Sequence, residues 1–301
     1  MKHLLAIKDL KGEEISEFVD LAEKLKKNRG EGNGKLAGKT LGMIFEKAST
    51  RTRVSFEVAM TQLGGHAVYM DYSSSQISRG ETIADTGKVL SRYLDAIMAR
   101  LYKHTDLVEL AKNSSVPVIN GLTDIEHPCQ IIGDLLIMKE KGKLQKGKTV
   151  AFVGDCANNV ANSFMNACAK LGMNVRLVCP AKYPPIKEFV DDSKKYGKVE
   201  IFSDPLKGVA GADVIYTDVW VSMGFEDEEA DRMKEFVPYQ VNDEMMKKAA
   251  KDAIFLHCLP AHRGQEVSGS VIDGKQSVVW DQAENRLHAQ KAILLKLLGK
   301  A

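Results

Sequence analysis

The sequence predicts two α/β domains, each a mainly parallel sheet flanked by helices. Three observations support this fold class. Short apolar runs alternate with segments of helical periodicity along nearly the whole chain, which is typical of βαβ units. The alternation falls into two successive series of four or five strands. The length of 301 residues also matches two domains, at roughly 100–200 residues per domain.

The first series occupies the N-terminal half. Its predicted strands are KTLGMIF (39–45), HAVYMD (66–71), AIMARL (96–101) and PVIN (117–120). Apolar residues with helical spacing lie between them, in RVSFEVAMTQLG (53–64) and ETIADTGKVLSRYL (81–94). Because each helix returns the chain to begin the next strand in the same direction, we expect a parallel sheet.

The second series repeats the pattern. Its predicted strands are TVAFVGD (149–155), NVRLVCP (174–180), VEIFSD (199–204), DVIYTDV (213–219) and AIFLHCL (253–259). Helices separate these strands too, most clearly NSFMNACAKLG (162–172). A second parallel sheet is therefore expected.

A long amphipathic helix, 127–147, separates the two series and ends in a Gly/Lys-rich turn. We place the domain boundary near residue 145, which gives domains of 1–145 and 146–282. The segment 283–299 is again amphipathic. We expect the C-terminal helix, 283–301, to pack back on the first domain.

Composition excludes several classes of protein. Lys and Arg number 42 against 40 Asp and Glu, a net charge of +2, so a general nucleic-acid or membrane-surface binder is not indicated. The 44% hydrophobic content excludes a disordered chain. The five cysteines form no CxxC pair, which fits neither a disulfide framework nor a structural zinc site. With no apolar run long enough for a signal or a membrane span, we expect a soluble protein of the reducing cytoplasm.

Two glycine motifs bear on nucleotide binding. GKLQKGKT (142–149) matches the phosphate-loop pattern, but a helix precedes it and a strand follows, which is the reverse of the required context. VGDCANNVANS (153–163) has the right context but only Gly154 of the GxGxxG glycines, so its asparagines favour a helix cap over a nicotinamide site. Nucleotide binding is disfavoured at both.

FEKASTRTRVSFE (45–57) is the most informative stretch. Three hydroxyl residues and two arginines meet where a predicted strand ends and a helix begins. Exposed N–H groups, the positive end of the helix dipole and guanidinium groups together suit a phosphate dianion. We favour an anion site there over a solvated cap.

Three further motifs follow predicted strands. HPCQ (127–130) is consistent both with a helix start and with an imidazole that polarises a carbonyl. DVWVSMG (218–224) and HCLPAHRG (257–264) place polar residues at strand carboxyl ends, where α/β sheets bind ligands. A metal site at His257, Cys258 and His262 is disfavoured because no fourth ligand is evident. A Cys nucleophile with a His base, or a buried thiol beside a proline turn, remain as alternatives.

In their order and spacing these motifs resemble those of the aspartate/ornithine carbamoyltransferase superfamily. STRTRVSFE and HPCQ resemble the carbamoyl-phosphate domain, and SMG and HCLP the ornithine branch. DQAENRLHAQ (281–290) fits the C-terminal pattern, and the resemblance covers the whole chain. It implies the carbamoyltransferase fold and the reaction of carbamoyl phosphate with L-ornithine to give L-citrulline and phosphate, in arginine biosynthesis or its catabolic reverse. No cofactor or metal is implied.

The resemblance also implies roles for individual residues. Those expected at carbamoyl phosphate are Ser49, Thr50, Arg51, Thr52, Gln76, Arg100, His127, Pro128, Cys129, Gln130, Cys258, Leu259 and Arg286. Those expected at ornithine are Asn159, Asp218, Ser222 and Met223. Arg100, His127, Asp218 and Cys258 are the implied catalytic residues. Gln76 would reach a neighbouring subunit's site, since such proteins are trimers or multiples of trimers.

Elementary chemistry agrees with these roles. Attack on carbamoyl phosphate builds negative charge on the carbonyl oxygen, which cationic and imidazole donors stabilise. The nucleophile is the substrate amine, so Asp218 and Cys258 are expected to orient and deprotonate rather than to form covalent bonds. Two substrates on two domains also suggest that domain closure excludes water. Rival hypotheses are a carbamoyltransferase for aspartate or putrescine, and a catalytically silent homologue.

Overall fold

The computed structural model describes residues 2–28, 30–221 and 229–301. By its internal contacts the chain divides into two compact units, one of Met1–Leu136 with Asn285–Ala301 and one of Ile137–Glu284. Each unit contains one sheet in which all neighbouring strands are parallel. The predicted fold class, two mainly parallel sheets flanked by helices, is confirmed.

The first unit holds a four-stranded sheet of order β2-β1-β3-β4. Its strands are β1 (Thr40–Phe45), β2 (His66–Asp71), β3 (Ala96–Arg100) and β4 (Val118–Leu122). The central strands β1 and β3 are apolar and almost wholly buried, as expected for strands covered on both faces. Their register places Leu41 opposite Ala96.

Helices flank this sheet. They are α1 (Gly12–Lys27), α2 (Thr50–Gln62), α3 (Ile83–Leu90), α4 (His104–Lys112), α5 (Pro128–Glu140) and the C-terminal α12 (Val279–Leu297). In α1 the buried residues recur every three or four positions, from Ile15 to Leu25. The helices α5 and α12 each contribute residues to both units.

The second unit holds a five-stranded sheet of order β7-β6-β5-β8-β9. Its strands are β5 (Thr149–Val153), β6 (Asn174–Val178), β7 (Val199–Phe202), β8 (Val214–Thr217) and β9 (Ile254–His257). Its helices are α6 (Asn159–Lys170), α7 (Lys187–Ser193), α8 (Pro205–Val209), α9 (Glu229–Phe236), α10 (Asp243–Lys248) and α11 (Gly269–Ile272). Phe152, Phe164 and Tyr216 pack ring against ring in its buried core.

Each sheet has a point at which its strand order reverses. In the first unit β1 lies between β2 and β3, and in the second β5 lies between β6 and β8. Open α/β sheets bind ligands at the carboxyl ends of the strands beside such a point, because the connecting loops diverge there. Ser49 and Arg100 lie at this place in the first sheet, and Asn158 and Asp218 in the second.

Element boundaries differ from the predictions where polar residues cap helices. The helix predicted from residue 53 begins at Thr50, and the one predicted from residue 162 begins at Asn159. All five predicted strands of the second series end two residues early, as β5 does at Val153 and β8 at Thr217. The polar residues after them leave the hydrogen-bonded ladder. Within the described residues, no helix combines the length and apolarity needed to span a membrane.

Candidate active site

The start of α2 is arranged as an anion site. Ser49 is extended at φ −155° and its Oγ accepts the N–H of Thr52 at 3.3 Å, which caps the helix. Ser49 Oγ also donates to Thr52 Oγ1 at 3.1 Å. Thr50 and Arg51 are exposed on the first turn, whereas Thr52 is buried. First-turn N–H groups, the helix dipole and the Arg51 guanidinium therefore present positive charge together.

A buried arginine from α12 joins this helix start to α5. Arg286 is 5% exposed, and its Nη2 donates to Thr52 Oγ1 at 3.2 Å. Its Nη1 donates to Gln130 Oε1 at 2.6 Å, and Gln130 Nε2 donates to Asp134 Oδ1 at 2.8 Å. The cluster brings together three sequence motifs of the first unit around one guanidinium group.

His127 lies in the same cationic environment. It is buried immediately before α5, and Arg100 ends β3 half-buried. Burial, with the positive charges of Arg286 and Arg100, holds the pKa of His127 well below its usual value of 6.5. The imidazole is therefore neutral near pH 7 and suited to hydrogen bonding with a carbonyl group.

The two residues after His127 are placed by the helix start. Pro128 is the first residue of α5, where its missing N–H costs no hydrogen bond. Cys129 is fully buried and its thiol donates to the Asn120 carbonyl at 3.2 Å. Burial raises the pKa of Cys129 to about 12. The thiol is therefore not a nucleophile, and the backbone is what Cys129 can offer a ligand.

Two other polar residues near this end of the sheet have different surroundings. The Arg53 guanidinium donates to Glu57 at 2.9 Å and lies 3.9 Å from the centre of the Tyr69 ring. Arg53 is thus engaged along its own helix, unlike Arg51. Gln76 is exposed and precedes the short 3₁₀ turn Ile77–Arg79.

In the second unit an asparagine links the start of α6 to an acidic residue. Asn158 Oδ1 caps the helix by accepting the N–H of Ala161 at 2.7 Å. Its Nδ2 donates to Asp218 Oδ2 at 3.5 Å. Asn159, predicted from the sequence to bind ornithine, is the half-buried first residue of the helix.

Asp218 and Cys258 form the centre of this second cluster. The Cys258 thiol donates to Asp218 Oδ1 at 3.0 Å, and the N–H of Val219 donates to the same oxygen at 2.8 Å. All five cysteines lie in the described ranges as free thiols, and Cys258 is the one with partial exposure. The carboxylate and thiol are therefore oriented toward each other at adjacent strand ends. Ser222 and Met223, predicted to bind ornithine, lie outside the described residues.

A metal site around His257 was considered from the sequence. The structure shows which side chains could supply its ligands and whether their atoms are already hydrogen-bonded. Possible ligand atoms of Asp218, His257 and Cys258 lie within 4.8 Å of one another. Both ring nitrogens of His257 already have partners, since Nδ1 accepts the N–H of Leu259 at 2.9 Å and Nε2 contacts Glu266 Oε1 at 3.1 Å. A cation would have to displace one of these hydrogen bonds.

A buried ion pair supports the carboxyl end of β5. Arg232 Nη1 donates to Asp155 Oδ2 at 2.9 Å and to the Trp220 carbonyl at 3.3 Å. Burial raises the pKa of Asp155, Arg232 opposes that shift, and Asp218 adds to it. The pair therefore connects segments that follow β5 and β8.

Several of these residues were not identified from the sequence. They are Asp134, Asp155, Asn158 as a partner of Asp218, Arg232 and Glu266. Gln282, whose Oε1 accepts the backbone N–H of His257 at 2.9 Å, was not identified either. Asn158 and Asp155 had a local signal, because Asp155 is the last residue of the predicted strand 149–155 and Asn158 lies in the segment just after it. The others lie within helices or turns, and only the folded chain brings them to a motif.

Each half of the chain matches the model of one of the two domains of a known family. Residues 2–140 match the family model for the carbamoyl-P binding domain of aspartate/ornithine carbamoyltransferase. Residues 146–297 match the model for its Asp/Orn binding domain. The chain belongs to the aspartate/ornithine carbamoyltransferase family.

Relatives within the aspartate/ornithine carbamoyltransferase family are similar over their full length. An ornithine carbamoyltransferase of Archaeoglobus fulgidus is 54% identical over 303 residues, covering 100% of this chain and 98% of that protein. A catabolic ornithine carbamoyltransferase of Halobacterium salinarum is 50% identical over 300 residues, covering 100% of both. The solved ornithine carbamoyltransferase of Pyrococcus furiosus has a TM-score of 0.94 and 52% identity, covering 100% of this chain and 98% of that one.

Proposed function

We propose that this chain transfers the carbamoyl group of carbamoyl phosphate to the δ-amine of L-ornithine, giving L-citrulline and phosphate. The observation that carries the proposal is the Arg286 cluster, where one buried guanidinium links Thr52 of the phosphate-suited helix start to Gln130 beside neutral His127. Similarity over the full length to ornithine carbamoyltransferases supports the choice of acceptor.

Carbamoyl phosphate is assigned to the first unit. Ser49, Thr50, Arg51 and Thr52 hold the phosphate through hydroxyls, helix N–H groups and a guanidinium. The contacts within the Arg286 cluster support this role, because the same atoms that bond to each other are suited to phosphate oxygens. Arg286 contributes from α12.

The carbonyl group of carbamoyl phosphate is activated by Arg100 and His127. Negative charge develops on the carbonyl oxygen during attack, and a neutral imidazole with a nearby guanidinium stabilises that charge. Gln130 and the backbone of Pro128 and Cys129 hold the carbamoyl amide. The lowered pKa of His127 supports its role as a neutral hydrogen-bond donor to the carbonyl oxygen rather than as a charged imidazolium.

L-Ornithine is assigned to the second unit. Asp218 and Asn159, with Ser222 and Met223, bind its α-amino and carboxylate groups. Cys258 and Leu259 lie beside the reacting amine. The hydrogen bond from Cys258 to Asp218 supports this arrangement, since it places a thiol and a carboxylate at one strand edge.

The reaction needs a neutral amine. An alkylamine has a pKa of about 10.4 by analogy with Lys, so most of the free substrate is protonated near pH 7. After Asp218 accepts one proton from the ammonium group, the δ-nitrogen bonds to the carbonyl carbon. The carbon–oxygen bond to phosphate then breaks, and its electron pair leaves on the phosphate oxygen. The second amine proton passes to the departing phosphate.

We also propose that the protein acts in the cytoplasm as a trimer or a multiple of trimers. Five free thiols support a reducing compartment. The exposed position of Gln76 supports its contribution to a neighbouring subunit's site.

A steady-state assay with ornithine, aspartate and putrescine tests the function. We expect citrulline from ornithine and much slower turnover of the other two acceptors. Faster reaction of aspartate or putrescine would overturn the acceptor assignment. If saturating carbamoyl phosphate and ornithine yield no citrulline, the chain is a silent homologue.

A further inference from the structure

The N-terminal segment, residues 4–10, lies against β4 at the edge of the first sheet. Leu4 pairs with Ile119 in an isolated parallel bridge. In this bridge the Leu4 N–H donates to the carbonyl of Val118 at 2.9 Å. Leu4 and Ile7 are both 0% exposed. The segment is therefore packed into the first unit, beside the strand that leads to the HPCQ motif.

The carboxylate of Glu126 binds the backbone of this N-terminal segment. Its Oε2 accepts the N–H of Ile7 at 3.2 Å, and its Oε1 accepts the N–H of Lys8 at 3.4 Å. These two residues begin the short 3₁₀ turn Ile7–Asp9. Glu126 is 0% exposed, and hydrogen bonds to N–H groups offset the cost of burying its charge. The carboxylate thus joins residues that are 119 positions apart in the sequence.

The main chain of Glu126 is held as well. Its carbonyl oxygen accepts the N–H of Thr123 at 3.0 Å and the side-chain amide of Asn120 at 3.3 Å. Asn120 Nδ2 also donates to the carbonyl of Leu5 at 2.7 Å, so a second side chain bonds to both this loop and the N-terminal segment. The next residue is His127, whose carbonyl oxygen accepts an N–H of the first turn of α5 at 3.1 Å. Hydrogen bonds therefore hold the backbone on both sides of the imidazole.

The imidazole of His127 can stabilise charge on the carbonyl oxygen of carbamoyl phosphate only if it points there, and the backbone that carries it sets its direction. A buried carboxyl group costs more to desolvate than an apolar side chain of similar volume, so its gain lies in what its two oxygens orient. We infer that Glu126 is a positioning residue for carbamoyl transfer, which acts by tying the backbone before His127 to the N-terminal segment. This inference rests on the proposed function.

Glu126→Ala, Glu126→Gln and Glu14→Ala test the inference. Glu126→Ala removes the hydrogen bonds to Ile7 and Lys8 and should lower kcat by up to about 100-fold, because a misplacement of about 1 Å can cost that much. Glu126→Gln keeps one oxygen acceptor and should recover most of that loss. Glu14→Ala is the matched control, since the Glu14 carboxylate accepts the backbone N–H of Lys11 at 2.9 Å but caps α1 instead of bonding to the loop before α5. Its kcat should equal that of the wild type.

Binding of inorganic phosphate separates a positioning role from a structural one. Phosphate binds at the start of α2 and has no carbonyl group for His127, so calorimetry with phosphate counts the intact sites. In Glu126→Ala we expect a phosphate Kd close to that of the wild type and a lower kcat for each site. An unchanged kcat per site would overturn the inference. So would a loss of phosphate affinity as large as the loss of kcat, or equal losses of kcat in the Gln and Ala variants.

Hydrogen exchange on the unmodified protein is independent of how the variants fold. If the N-terminal segment positions His127, a ligand that engages this imidazole must stabilise the segment in return, because coupling is reciprocal. Saturating phosphonoacetamide, a stable analogue of carbamoyl phosphate that keeps a carbonyl group, should slow amide exchange in residues 4–8, whereas saturating inorganic phosphate should not. Equal effects of the two ligands, or no effect of either, would overturn the inference. If the wild type forms no citrulline, the proposed function fails, while the exchange comparison still decides whether the segment is coupled to His127.

Discussion

At the scale of residues, the two arginines of the STRTR motif have different partners. Arg51 is exposed at the start of α2, whereas Arg53 pairs with Glu57 and lies over Tyr69. Sequence position alone made both of them candidates for phosphate binding. The i,i+4 spacing of Arg53 and Glu57 explains the difference, because these positions are neighbours on a helix.

This contrast yields a prediction for carbamoyl phosphate binding. Arg51→Ala should weaken binding by about tenfold or more, since a charge-assisted hydrogen bond contributes about 1.5–3 kcal/mol. Arg53→Ala, the matched change two residues on, should have a much smaller effect. Isothermal titration calorimetry measures both. Unchanged binding in Arg51→Ala would remove the phosphate site from the start of α2.

The buried imidazole of His127 has a consequence for stability. Its pKa is lowered in the folded protein by burial and by Arg286 and Arg100. The unfolded chain therefore binds a proton first as pH falls through about 6.5, which favours unfolding. Between that pH and the lower folded pKa, this group alone removes up to about 1.4 kcal/mol of stability per pH unit.

We therefore expect His127→Gln to reduce the loss of stability between pH 6.5 and pH 5. Urea unfolding at a series of pH values measures the free energy of unfolding. His3 and His104 also have a lowered pKa through burial, so the wild type and the variant share their contribution. His66→Gln, at an exposed position on β2, is the control. Identical slopes for His127→Gln and the wild type would contradict the prediction.

At the scale of elements, helix starts combine stability with ligand binding. Ser49 caps α2 and Asn158 caps α6, and each also contacts a residue of a candidate binding cluster. Asn242 caps α10 in the same way, by accepting the N–H of Met245 at 3.1 Å. These helices therefore provide a comparison between caps with and without a functional neighbour.

Asn158→Ala should destabilise the protein by about 1 kcal/mol, the usual effect of losing a cap. It should also raise the KM for ornithine, because Asp218 loses a hydrogen-bond donor. Asn242→Ala should cost similar stability and leave that KM unchanged. Urea unfolding and steady-state kinetics measure the two effects. A raised KM in both variants would show that the kinetic effect follows from stability alone.

At the scale of the whole molecule, the proposed trimer makes Gln76 and Arg100 act from different subunits on one site. Arg100→Ala and Gln76→Ala should each have low activity. In mixed trimers, an intact Arg100 from one parent meets an intact Gln76 from the other. Co-refolding the two variants should therefore restore activity above that of either parent refolded alone. Absence of any recovery in verified mixed oligomers would contradict a shared site.

The sequence by itself determined the features that depend on neighbours along the chain. The nine strands of the described residues coincide with apolar runs whose periodicity and length predicted strands. Residues 49–52 and 128–130 were recognised as helix starts with functional polar groups, since caps and first turns are formed by consecutive residues. The family followed from the order and spacing of such local motifs.

Only the tertiary structure decided which side chains meet. Arg286 bonds to Thr52 across 234 residues and to Gln130 across 156, and Asp155 pairs with Arg232 across 77. Glu266 lies only nine positions from His257, yet its carboxylate contacts that ring because the intervening loop turns the chain back toward the end of β9. The periodicity of apolar residues and helix capping both depend on residues only a few positions apart in the sequence. Contacts of this kind arise from sheet order and loop geometry, so they, and the resulting pKa of His127, appear only in the folded molecule.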